Sequence, residues 1–66
     1  MTVVVNGAPL ELPESSTLTE AVARLTLAVQ GVAVAVNGSV VPRGLWPETT
    51  LADADEVEVL TAVQGG

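Results

Sequence analysis

The stretch Pro13–Gly31, "PESSTLTEAVARLTLAVQG", is where the chain changes its hydrophobic period. Leu18, Ala21, Val22, Leu25 and Val29 fall at i, i+3, i+4, i+7 and i+11, which places them on one face of an α-helix. Thr17, with Glu20 three residues later, makes a capping box. Hydroxyl and carboxylate each take a backbone N–H that the helix start would otherwise leave unpaired. Gly31 suits the left-handed conformation that closes a helix. These signals predict a helix over about residues 18–29.

The flanking segments have the period of strands. "TVVVN" is β-branched and "APLEL" follows it across Asn6-Gly7. Asn-Gly between two apolar runs predicts a tight hairpin, because both residues accept a positive φ. Pro9 has no N–H for a ladder, so the second strand belongs at a sheet edge. After the helix, "VAVAV" places Val32, Val34 and Val36 on the core side and Ala33 and Ala35 on a thinly covered outer side. A second Asn-Gly turn at 37–38 leads into "SVVPRGLWPETTL", which reads as a short strand and then an irregular stretch punctuated by Pro42, Gly44 and Pro47. "ADADEVEVLTAV" supplies an acidic turn and a last strand. In that strand Val57, Val59, Thr61 and Val63 point inward while Glu58, Leu60 and Ala62 point outward. The expected fold is a two-layer α+β domain, a mixed four- to five-stranded sheet with one main helix packed on its valine-lined face. No repeat, linker or low-complexity segment is visible.

Composition narrows the function. The chain has 66 residues, enough for one domain, and is 48% hydrophobic, almost entirely through Val, Leu and Ala. A domain of this size buries only ~60% of its unfolded surface. Its aliphatic side chains contribute roughly 1.5–3 kcal/mol each when fully buried. Trp46 is the single aromatic. His, Cys, Lys and Tyr are all missing, which removes the usual nucleophile–base pairs, Schiff-base chemistry and nitrogen or thiolate metal ligands. That inventory points away from an independent enzyme and away from a metal site.

The formal net charge is −6, and Arg24 and Arg43 are the only basic side chains. Nucleic acid and anionic membrane surfaces are therefore poor partners. The uncharged run Leu25–Val41 is long enough to suggest a membrane span, but Gly31 and Asn37-Gly38 break it into separate elements. The first residues, "MTVVVNGAP", lack the basic and cleavage regions of a signal peptide. A soluble cytoplasmic protein is the expectation.

Hairpin, helix and closing strand in this order, on a chain ending "GG", resemble the β-grasp fold of the ubiquitin-like sulfur carriers. The likeness is closest to the thiamin-biosynthesis carriers, the ThiS family. It runs through "VVVNG" (3–7), "VAVAVNGSVVPRGLW" (32–46) and "DADEVEVLTAVQGG" (53–66). The most specific part is "NG-x-VVPR-x-x-W", Asn37 to Trp46. The family often has a glycine where this chain has Ala54, and a third tail glycine where it has Gln64.

The resemblance implies a carrier made of a β-grasp domain, residues 1–62, and a flexible tail, residues 63–66. It implies that the Gly66 carboxylate is adenylated by a partner using ATP and becomes a thiocarboxylate. The implied partners are an adenylating enzyme, a cysteine desulfurase or other sulfur donor, and thiazole synthase. No cofactor is then bound by the carrier itself. The chemistry suits the residues. A carboxylate of pKa ~3.3–3.7 is ionised and inert to substitution at neutral pH until its oxygen becomes part of a leaving group. Gly65 and Gly66 carry no Cβ to crowd that carbonyl or block a narrow channel. Val63–Gly66, fully extended, would reach ~13 Å into a cleft. A chain without cysteine cannot hold sulfur as its own persulfide.

An apolar docking patch is expected from Leu60, Ala62, Ala33 and Ala35, continued by Val63 and Gln64 into the tail. Asp53, Asp55, Glu56 and Glu58 are candidates for steering a basic partner, although a solvated acidic turn is the stronger explanation of them. Trp46 is expected to cover one end of the core, and Arg43 to be an ordinary exposed arginine. Related carriers serving molybdopterin synthesis or tRNA thiolation share the tail and fold. A ubiquitin-like binding module with an idle tail is a further reading.

Overall fold

The computed structural model describes residues 1–25 and 31–61, the last of them by its backbone. Strand β1 (Thr2–Val5) turns at Asn6-Gly7 into β2 (Ala8–Glu11), antiparallel, with Val5 opposite Ala8 and Thr2 opposite Glu11. Asn6 has φ 50° and Gly7 φ 83°, as a two-residue hairpin of this hand requires. A Cβ at Gly7 would meet nothing within 4 Å, so glycine is needed there for conformation rather than clearance. The same device joins β3 (Val32–Val36) to β4 (Ser39–Val40), with Asn37 at φ 50° and Gly38 at φ 86°.

Strand β5 (Glu56–Thr61) occupies the centre of the sheet. It pairs parallel with β1, Val5 opposite Val57, and antiparallel with β3 from Val36↔Val57 to Val32↔Thr61. The strand order is β2-β1-β5-β3-β4, with β2 at the edge that Pro9 suits.

Helix α1 (Leu18–Leu25) begins with the expected capping box. The Thr17 N–H donates to Glu20 Oε1 at 2.7 Å, and the Glu20 N–H reaches Thr17 Oγ1 at 3.4 Å. Leu18, Ala21 and Val22 are buried against Val3, Val5, Val34, Val57 and Val59 of the sheet, while Val32 and Val36 are half-buried at its margin. Leu25, expected on the same face, is 46% exposed. Seven residues return it to the azimuth of Leu18 but carry it about 10 Å along the axis. The buried part of the described helix ends a turn earlier, at Val22. Residues 26–29 of the expected helix lie outside the described residues. Gly31 has the left-handed φ of 72° expected of it.

The stretch read as irregular contains a 3₁₀ helix, Arg43–Glu48. Pro42 sets its start at φ −59°, where the Leu45 N–H donates to the Pro42 carbonyl at 2.8 Å. Burial of Trp46 holds the turn down: the indole is 3% exposed and its Nε1–H donates to the Val41 carbonyl at 2.9 Å. The following residues stitch this segment to the start of α1. The Leu18 N–H donates to the Thr49 carbonyl and the Leu51 N–H to the Ser16 carbonyl, both at 2.8 Å. Leu12, Leu51 and the buried Trp46 complete the core.

Candidate functional site

Because successive strand residues face opposite sides of a sheet, burying Val57 and Val59 under α1 turns Glu58 and Leu60 to the uncovered side. There they meet the neighbouring strand directly: Leu60 lies opposite Ala33, and Glu58 opposite Ala35. The β3–β4 hairpin brings Val40 opposite Ala35 on its other side. Ala33, Val34, Ala35, Val40, Glu58 and Leu60 line an open groove. Its shape follows from side-chain size. Alanine methyls form a low floor, and Leu60 and Val40, 68% and 76% exposed, rise on either side.

The expected patch residues Ala33, Ala35 and Leu60 are thus brought together. Ala62, Val63, Gln64, Gly65 and Gly66 lie outside the described residues, as does the division between a domain ending at 62 and a tail from 63. Val40 was not expected in the patch, although the two-residue turn at Asn37-Gly38 dictates its place opposite Ala35. Glu58, read as a steering charge, also lines the groove itself.

The acidic residues before β5 divide by role. Asp53 Oδ1 accepts the Thr2 N–H at 2.8 Å. Asp55 Oδ2 accepts the Ala52 N–H at 2.8 Å, and its Oδ1 accepts from Asn37 Nδ2 at 3.1 Å. Both carboxylates therefore build the turn, and Ala54 between them takes a left-handed φ of 72°. Glu56 and Glu58 are exposed and project from β5, which leaves an apolar groove with acidic neighbours. Arg43 is exposed at the first position of the 3₁₀ helix. Among the described residues no group of three or more carboxylates is placed to hold a metal ion.

Two asparagine side chains hold β5, one at its first residue and one at Val59, and periodicity had no means of showing this. Asn37 Oδ1 accepts the Glu56 N–H at 2.9 Å. Asn6 Oδ1 accepts the Val59 N–H at 2.9 Å, and its Nδ2 donates to the Val59 carbonyl at 3.1 Å. Each asparagine had been assigned only to its hairpin turn.

A mixed five-stranded sheet in this order, with a helix across one face and a bare apolar patch on the other, is the β-grasp architecture of ubiquitin-like proteins. The ThiS family model matches residues 3–66, and the chain belongs to that family. The crystal structure of a thiamine biosynthesis protein (ThiS) from Geobacter metallireducens superposes with a TM-score of 0.82 at 38% identity, covering 100% of both chains. A solution structure of a thiamine biosynthesis protein from the same organism gives a TM-score of 0.81 at 38% identity, covering 100% of this chain and 88% of that one. A Porphyra purpurea protein described as uncharacterized protein ycf40 is 29% identical over 66 residues, all of this chain and 93% of that protein.

Proposed function

We propose that this protein is the sulfur carrier of thiamin thiazole biosynthesis, a protein co-substrate rather than an enzyme. The observation that carries the reading is a family match over residues 3–66, joined to full-length likeness to a ThiS structure at 38% identity. The residues are compatible with it, because the chain has no Cys, His, Lys or Tyr with which to run acyl or sulfur chemistry alone.

In this reading residues 1–62 form the recognition domain and 63–66 the tail. A Gly66 carboxylate oxygen attacks the α-phosphorus of ATP in the partner's site and pyrophosphate leaves. The outer sulfur of a donor's persulfide then displaces AMP from the acyl carbon to give an acyl disulfide. A thiol of the partner machinery cleaves its S–S bond, leaving as a disulfide with the donor cysteine, and the thiocarboxylate so released passes its sulfur to thiazole synthase. ATP and the catalytic groups belong to the partners, and the carrier binds no cofactor. Gly65 and Gly66 keep the reacting carbonyl uncrowded. The groove of Ala33, Ala35, Val40 and Leu60 supplies the docking contact, extended by Ala62, Val63 and Gln64, and Glu56 and Glu58 favour a partner with a basic rim. The carrier works in the cytoplasm. No helix among the described residues is long and apolar enough to cross a membrane.

Intact-mass spectrometry tests the proposal. Incubation with ATP, the adenylating enzyme and a sulfur donor gives a mass gain equal to replacing one oxygen by sulfur, localised to Gly66 and abolished by deleting that residue. An unchanged mass under conditions that thiolate a known carrier refutes it. In cells, the same deletion creates a growth requirement met by the thiazole moiety alone. A requirement for molybdenum cofactor or thiolated tRNA would reassign the pathway.

A further inference from the structure

The main chain of β1 runs beside β5 only as far as Val5 and Val57, with one further bond from the Asn6 N–H to the Val57 carbonyl at 2.9 Å. It then turns away into β2, while β5 continues to Thr61. Along β5, Val57 and Val59 direct their peptide groups toward β1, and Glu56 directs its carbonyl toward the other side, where it accepts the Asn37 N–H at 2.7 Å. Past the end of β1, the peptide groups of Val59 would have no strand to pair with. The Asn6 side chain takes both of them, at 2.9 and 3.1 Å. A carboxamide carries the same donor and acceptor as a peptide group. One side chain thus adds a rung to the parallel ladder after the backbone has left it.

We propose that Asn6 is a positioning residue for carrier function: its carboxamide holds β5 at Val59, past the last backbone rung from β1, and so fixes the part of the strand from which the chain runs on toward Gly66. The functional half of this proposal rests on the carrier reading. Acyl transfer in a partner's cleft depends on placement of the reacting carbonyl, and a misplacement of about 1 Å can cost ~100-fold in rate.

The molecule contains its own control. Asn37 has the same φ of 50°, sits in the same kind of Asn-Gly turn, and likewise binds β5 through its side chain, at Glu56. It holds the end of the strand remote from the tail. Glycine accepts this φ, so Asn6→Gly and Asn37→Gly both preserve their turns while removing the amide.

The experiment compares the two full-length variants by amide hydrogen exchange and by the single-turnover rate of thiocarboxylation, read by intact mass. Both variants are expected to melt at lower temperature. Asn6→Gly is expected to speed exchange at Val59, Leu60 and Thr61 by about tenfold. Its thiocarboxylation is expected to slow by at least about fivefold. Asn37→Gly is expected to leave Leu60 and Thr61 exchange and the rate near wild type. Equal exchange at Leu60 and Thr61 in the two variants overturns the proposal, and so do equal rates in variants that both react. If the wild-type chain does not thiocarboxylate at all, the carrier reading fails by itself, and the exchange comparison still decides whether Asn6 holds β5 at Val59 and the residues that follow it.

Discussion

Replacing Ala54 by glycine should stabilise the protein. Ala54 lies in the turn before β5 with φ 72°, in a region where an L-residue's Cβ crowds its own backbone. That conformation costs roughly 1–2 kcal/mol in a residue with a side chain. Its interactions are those of the main chain: the Ala54 N–H donates to the Thr2 carbonyl at 2.7 Å, and the methyl group is exposed. Glycine keeps that hydrogen bond and opens no cavity. Against the relief stands the greater freedom of glycine in the unfolded chain, worth about 0.4–1 kcal/mol. The difference leaves about 0.8 kcal/mol of stabilisation, or ~3–6 °C in Tm for a domain of this size. Trp46, 3% exposed in the native state, is a built-in fluorescence probe for urea unfolding. Ala54→Gly should raise the urea midpoint at constant slope, and Ala54→Val, β-branched in the same conformation, should lower it. A glycine variant with an unchanged or lower midpoint would refute the claim that the turn holds its alanine under strain.

Trp46→Ala should remove the cooperative unfolding transition measured by circular dichroism, because losing a buried indole costs about 3–5 kcal/mol, comparable to the whole stability of a domain this small. Trp46→Phe should fold but lose about 1–2 kcal/mol, through smaller volume and the lost bond to the Val41 carbonyl. Leu60→Asp combined with Val40→Asp should leave stability within about 0.5 kcal/mol, since both side chains are mostly exposed. By calorimetry the same pair should weaken binding to the adenylating enzyme at least about tenfold. Undiminished binding would remove the groove from the docking surface. If Glu56 and Glu58 steer that encounter, raising salt from about 0.05 to 0.5 M should slow association markedly in stopped flow, and a salt-independent rate would refute steering.

Most elements were legible because their signals are local. The capping box of Thr17 and Glu20 and both Asn-Gly turns took the geometry their residues demand, and Pro9 lies on the edge strand it suits. The misses share a cause. Leu25 has the azimuth of the buried face, but the hydrophobic pattern does not say how far along its axis a helix is covered. The segment after Pro42 has turn residues throughout, and the burial of Trp46 made an ordered 3₁₀ helix of it. Asn6 advertised a turn, while its carboxamide bonds a peptide 53 positions away. Of the docking patch, Ala33, Ala35 and Leu60 were recoverable from alternation alone. Val40 needed the hairpin register carried one pair further.

By itself the sequence determined the two periods, the turns between them, the acidity, and an inventory without Cys, His, Lys or Tyr. Each of these depends on residue type or on neighbours a few positions apart. Only the tertiary structure decided that β5 lies between β1 and β3, that alanines and two exposed aliphatic side chains frame a groove, and that one asparagine adds a rung to the parallel ladder beyond the end of β1. Those arrangements join residues far apart in the chain. Backbone propensity carries no information about such partners, and they are selected only when the whole core and every buried peptide group must be satisfied together.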